Sequence, residues 1–181
     1  MSVALYDTKK RNHFLKSTAI LFVFWLLLSG KWDVFHAVIG FVAAVVITWI
    51  SLPLMKLTSP DRKKTYYAFD IPFLRYSKYW LWLLKQIIVA NIEVAMIILN
   101  PKLPIEPQMV SFKKEFSNPI AQATLSNSII LTPGTLTVDV NNGVYTIHTL
   151  TQKGAEEIER GEANELIGRI GHVFSEDINQ R

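Results

Sequence analysis

The sequence predicts a membrane protein: an α-helical transmembrane hairpin, a third apolar helix that is interfacial or spanning, and a small α+β cytoplasmic domain of βαββα order. Three observations lead there. Half of the 181 residues are hydrophobic and the mean hydropathy is +0.22, high for a soluble chain. Two apolar runs near the N-terminus are separated by only Gly30, Lys31, Trp32 and Asp33. Far downstream, the patterning turns from helical to period two across Pro133-Gly134.

The first apolar segment runs from about Phe14 to Ser29 and the second from about Val34 to Leu54. The second is uncharged and long enough to cross a hydrocarbon core, and the first is near the lower limit. A signal peptide is the rival reading of the first, because Lys9, Lys10, Arg11 and Lys16 resemble a basic n-region. The absence of an A-x-A cleavage pattern and the second run close behind favour a hairpin. Lys56, Arg62, Lys63 and Lys64 follow the second span, so the positive-inside rule puts both basic clusters, and the N-terminus, in the cytoplasm. Gly40, Ala43 and Ala44 offer close packing to another helix, and His36 and Thr48 are the polar residues of the second span.

The third apolar segment, about Arg75 to Leu99, is also long enough to span. Yet Lys78, Lys85, Gln86, Glu93 and Asn100 fall within an arc of about 100° on a helical wheel, and Tyr76, Tyr79, Trp80 and Trp82 crowd its start. A lysine near the centre of a spanning helix costs about 2.5–3.5 kcal/mol. The favoured reading is therefore a tilted or interfacial helix that leaves the C-terminal domain cytoplasmic, with the stripe facing a bundle interior as the alternative. The membrane region then covers residues 1–100.

Asn100-Pro101 ends that helix, and residues 101–108 form a Pro-rich linker held extended by Pro104 and Pro107. In residues 109–181, Met109, Val110 and Phe112 suggest a strand, and Asn118-Pro119 caps a helix reaching about Leu131. Pro133-Gly134 reads as a type II turn. Leu136, Val138 and Val140 then alternate with Thr135, Thr137 and Asp139. With Asn142-Gly143 at the centre of a type I′ turn, Val140 faces Tyr145, Asp139 faces Thr146, Val138 faces Ile147 and Thr137 faces His148. His148 lands diagonal to Asp139, near enough for a hydrogen bond and read as a cross-strand surface contact. A last helix from about Ala155 to Asp177 covers the sheet with Ala163, Leu166, Ile167, Ile170, Val173, Phe174 and Ile178.

The stretch from Asn127 to Asp139, followed by the His148 strand, resembles the signature of the E subunit of Mrp-type multisubunit sodium/proton antiporters (the MrpE/MnhE family). Its motif residues here are Asn127, Ser128, Pro133, Gly134, Thr135, Thr137, Asp139 and His148. The resemblance extends to the layout of the whole chain. It implies a multi-pass protein of the bacterial plasma (inner) membrane whose partners are the other antiporter subunits and the lipid bilayer. It implies an accessory and assembly role, with Na+ or K+ and H+ moving through larger subunits.

Residues are divided by charge as well as by hydropathy. From Pro101 onward there are 7 Lys+Arg against 10 Asp+Glu, and in the first hundred residues 12 against 5. The basic excess flanks apolar segments, which argues for topology signals and against a nucleic-acid partner. The chain has no cysteine, so disulfides and thiolate chemistry are excluded. The four histidines lack metal-ligand spacing and no Gly-rich phosphate loop occurs, so neither a cofactor nor an enzymatic reaction is expected. Glu93, the carboxylate inside an apolar stretch, and His36 are the candidate ion-path residues. The competing readings are that Glu93 faces water and that His36 bonds locally. A membrane-tethered ligand-binding module is the remaining alternative.

Overall fold

A computed structural model describes residues 2–60, 64–69, 71–160 and 162–176. The chain forms two compact units, Met1–Asp70 and Ile71–Arg181. The boundary thus precedes the third apolar helix and does not fall in the 101–108 linker, because that helix buries one face among the residues of the second unit.

In the first unit, α1 (Ser2–Ser29) is followed by α2 (Val34–Ser51). Gly30, at φ +62°, supplies the left-handed residue that ends α1 without a Cβ penalty. Asp33 then caps α2, its carboxylate accepting from the His36 backbone N–H at 3.0 Å. Gly40, Ala44 and Thr48 recur every four residues and form the buried face of α2. The Trp25 indole of α1 fills the space where a Cβ on Gly40 would lie, and its Nε1–H donates to the His36 carbonyl at 3.1 Å. The small-residue stripe therefore lets the two helices approach, as the sequence suggests for Gly40 and Ala44.

A short antiparallel hairpin, β1 (Lys56–Thr58) and β2 (Thr65–Tyr67), follows α2 and has no counterpart in the sequence reading. It is clamped to α1 by aromatic stacking. Buried His13 lies 4.6 Å from the Tyr67 ring and 6.0 Å from Phe69, centroid to centroid.

The second unit begins with α3 (Phe73–Leu99), followed by β3 (Gln108–Lys113), α4 (Pro119–Leu131), β4 (Thr135–Asn141) and β5 (Val144–Thr149). It closes with α5 (Gln152–Arg160) and α6 (Glu162–Phe174). The last helix expected from about Ala155 to Asp177 is covered by α5 and α6, which begin earlier, at Gln152, while Gly161, Asp177 and Ile178 lie outside the described residues. The strands form an antiparallel sheet in the order β3-β5-β4. Asn118 caps α4 by accepting from the Ile120 N–H at 2.9 Å, with Pro119 in the first turn where no N–H is needed.

The β4–β5 turn has Asn142 at φ +49° and Gly143 at φ +75°, the paired positive values of a type I′ turn. Val140 faces Tyr145 and Asp139 faces Thr146, as expected. Beyond them the register shifts: Thr137 faces Ile147 and Leu136 faces His148, so Val138 is the extra residue of a β-bulge. The expected pairs Val138 with Ile147 and Thr137 with His148 do not form. The bulge turns Thr135 and Thr137 toward α4 and leaves Leu136 and Val138 exposed. Hydrogen bonding to α4 carbonyls outweighs the burial of two aliphatic side chains at this edge.

The core joins Val110 of β3, Leu125 and Ile129 of α4, Tyr145 and Ile147 of β5 and Ile170 of α6 to Tyr79 and Leu83 of α3. Full burial of Leu83 contributes about 1.5–3 kcal/mol, which explains why α3 belongs to this unit.

Candidate functional site

Most motif residues sit where α4 turns into β4, with His148 on β5, and three of the six polar ones bond inside the chain. Ser128 is 1% exposed; its hydroxyl donates to the Thr124 carbonyl at 2.7 Å. A hydroxyl has one proton, so the 2.6 Å contact between Ser128 Oγ and Tyr79 Oη is donated by the tyrosine. This bond links the motif helix to α3. Thr135 Oγ1 lies 2.6 Å from the Ile129 carbonyl and 2.8 Å from that of Thr132, and Thr137 Oγ1 donates to the Ser126 carbonyl at 3.3 Å. These contacts tie β4 to carbonyls of the last turns of α4 and its C-cap, where the Ile129 and Thr132 carbonyls also accept the Thr132 and Thr135 backbone N–H groups. Gly134, at φ +88°, follows Pro133 as the type II turn requires.

Three motif residues remain at the surface. Asn127 is exposed on α4, and Asp139 is exposed opposite Thr146. His148 is half-buried on β5, flanked across the sheet by Met109 and Leu136. No hydrogen bond joins Asp139 to His148 among the described residues, so the expected diagonal contact does not form.

Glu93 is exposed on the side of α3 toward α5, 3.9 Å from Lys153 Nζ, which also lies 3.2 Å from Glu157. The side chains of Glu93 and Lys153 are 59% and 72% exposed. Such a pair contributes little stability and does not enclose a proton. Beside it runs a mostly apolar groove of about 580 Å3 between α3 and the α+β layer, lined in part by Trp82, Val94, Gly134 and Leu166. His36 lies at the N-terminal turn of α2, not within a buried interior. Its Nδ1 is 2.7 Å from Asp33 Oδ2, and this bond holds the exposed Asp33 carboxyl below its usual range. Among the described residues, no group of three or more His, Cys, Asp or Glu side chains could hold a metal ion.

Sequence reasoning missed the inward role of α3. Tyr76, Tyr79 and Trp82 read as interface aromatics, yet Tyr79 is buried against Ser128 and Trp82 carries the Arg169 guanidinium 4.2 Å above its ring. Tyr76 packs edge-on to Phe174 at 6.1 Å. The signal was present in the helical spacing of Tyr76, Tyr79, Leu83 and Ala90, masked by an opposite face that is just as apolar. That opposite face leaves Leu81, Ile88, Ile92 and Leu99 exposed.

A family described as MNHE, Na+/H+ ion antiporter subunit, matches residues 18–172. The Na(+)/H(+) antiporter subunit E1 of Staphylococcus saprophyticus subsp. saprophyticus is 25% identical over 157 residues, covering 84% of this chain and 92% of the relative. The same subunit of Staphylococcus aureus (strain JH9) is 25% identical over 159 residues, covering 85% and 94%. Among solved structures, a chain of the membrane-bound sulfane sulfur reductase, an archaeal respiratory membrane complex, superposes with a TM-score of 0.63. It is 28% identical, with 85% of this chain and 96% of that chain covered.

Proposed function

Because the chain belongs to the MNHE family of Na+/H+ ion antiporter subunits, we propose that it serves as an accessory and assembly subunit of a multisubunit cation/proton antiporter in the plasma membrane. The observation that carries this reading is where the polar groups go. Ser128, Thr135 and Thr137 bond to helix carbonyls or to Tyr79, Glu93 pairs with Lys153, and His36 bonds to its neighbour Asp33. None of them lines an enclosed polar route, which a proton-carrying group needs. The motif instead braces α3 against the α+β layer.

In this reading the hairpin spans the membrane with its basic N-terminal flank in the cytoplasm, and the α+β layer is cytoplasmic too. Packing contacts on α3 run from Tyr76 to Ile87, and the groove continues beside it as far as Ile97. The α+β layer flanking α3 over that length supports placing α3 along the cytoplasmic interface. The exposed apolar sides of all three helices then meet lipid and the other subunits.

Co-purification of tagged chain with the remaining subunits tests the assembly role, and a stable monomer lacking such partners refutes it. Glu93→Gln in an intact complex is expected to leave cation/proton exchange within about twofold of wild type. Loss of exchange with assembly intact would assign Glu93 to the ion path.

A further inference from the structure

The basic flanks of the hairpin do more than set topology, because three of their cations converge on one concave site. Lys10 and Arg11 from α1 and Lys56 from β1 line a groove of about 770 Å3 together with Phe14, Trp49 and Ile50. Lys10 and Phe14 are one helical turn apart and share a face of α1. Lys56 is brought there by tertiary structure: it pairs with Tyr67 in the β1–β2 ladder, and Tyr67 is stacked on His13 of α1. A topology signal needs positive charge on the correct side of the membrane and nothing more. It does not need a hairpin clamped to a helix so that a lysine following the second span joins two preceding the first.

We propose that this groove is a binding site for an anionic phospholipid, with its phosphate held by Lys10, Arg11 and Lys56 and an acyl chain lying along Phe14, Trp49 and Ile50. The described lining brings three cations together beside apolar side chains, which suits a phosphate joined to an acyl chain. Trp49 and Ile50 are 69% and 61% exposed at the cytoplasmic end of α2, a depth at which the glycerol and upper acyl region of a lipid lies. Basic pockets between transmembrane helices on the cytoplasmic side select such headgroups by the same electrostatics.

The test is native mass spectrometry of the full chain in neutral detergent, titrated separately with diphosphatidylglycerol, phosphatidylcholine and inorganic phosphate. Wild type is expected to retain diphosphatidylglycerol in preference to phosphatidylcholine, and to bind inorganic phosphate far more weakly than the lipid. Each cation contributes about fivefold, so Lys56→Gln weakens binding about fivefold and the triple variant Lys10→Gln, Arg11→Gln, Lys56→Gln about 100-fold. Lys56→Arg retains affinity, and Lys31→Gln in the α1–α2 loop leaves it unchanged. Lys56 follows both spans, so the single variant keeps the hairpin, verified by unchanged helix content in circular dichroism. Equal affinity for phosphatidylcholine, phosphate binding as tight as lipid binding, or Lys56→Gln within twofold of wild type would each overturn the proposal.

Discussion

The bond from Tyr79 to Ser128 makes a definite energetic prediction, because the proton count dictates its direction. Ser128 gives its proton to the Thr124 carbonyl, so Tyr79 donates at 2.6 Å in a buried setting. Tyr79→Phe removes the donor and leaves one Ser128 lone pair unserved, at a cost of about 1–1.5 kcal/mol. Ser128→Ala strands the tyrosine hydroxyl instead, and a buried orphaned donor costs about 1–3 kcal/mol. The double variant removes both partners, so its cost should fall about 1 kcal/mol short of the summed single costs. Urea unfolding of the full chain in mild detergent, followed by tryptophan fluorescence because Trp82 reports on the α3 contact, supplies the four free energies. Additivity within about 0.3 kcal/mol would refute the claim that this bond couples α3 to the motif helix.

Other perturbations test other parts of the fold. Gly40→Ala places a methyl group where the Trp25 indole lies, so the hairpin should lose about 1–3 kcal/mol of packing stability, seen as a lowered thermal midpoint and a red-shifted Trp25 emission. Thr135→Val strips the hydroxyl from two carbonyls at the end of α4 and should cost about 1–2 kcal/mol in unfolding free energy with secondary structure retained. Tyr145 is fully buried, its hydroxyl has no hydrogen-bond partner among the described residues, and burial pushes the phenol above its ordinary value near 10. Both states are protonated below pH 10, so its contribution is fully present there. Above pH 10 the unfolded chain ionises first and stability falls, by up to about 1.4 kcal/mol per pH unit. Tyr145→Phe should be neutral or stabilising by about 1 kcal/mol at pH 7 and should flatten this alkaline decline relative to wild type in parallel melts.

Much of the local structure was legible because it depends on neighbours in the chain. Asn118-Pro119, Pro133-Gly134 and Asn142-Gly143 specify a cap and two turns through their own φ preferences, and each is found where it was expected. The register beyond Asp139 was not legible. Strict alternation predicts Val138 inward, whereas Thr135 and Thr137 turn their hydroxyls to carbonyls of α4 and the register shifts at a bulge. The β1–β2 hairpin escaped because three-residue strands carry too little periodicity to detect; His13 stacking on Tyr67, not strand pattern, holds it.

Glu93 and His36 show the same division at the candidate site. An acidic residue in an apolar run raises the question of an ion path, and tertiary structure places Glu93 at the groove between α3 and the α+β layer, exposed beside Lys153 of α5. Hydropathy, charge bias and the turn residues by themselves determined that this chain has a membrane hairpin, a third apolar helix and a small α+β unit, since each is a property of residues close in sequence. Tertiary structure alone decided which unit α3 joins, which way the motif threonines turn and which lysines share a groove. Those outcomes depend on pairs such as Tyr79 with Ser128 and Lys56 with Tyr67, and on Lys10 and Lys56 meeting at one surface, partners distant in sequence whose meeting no local periodicity encodes.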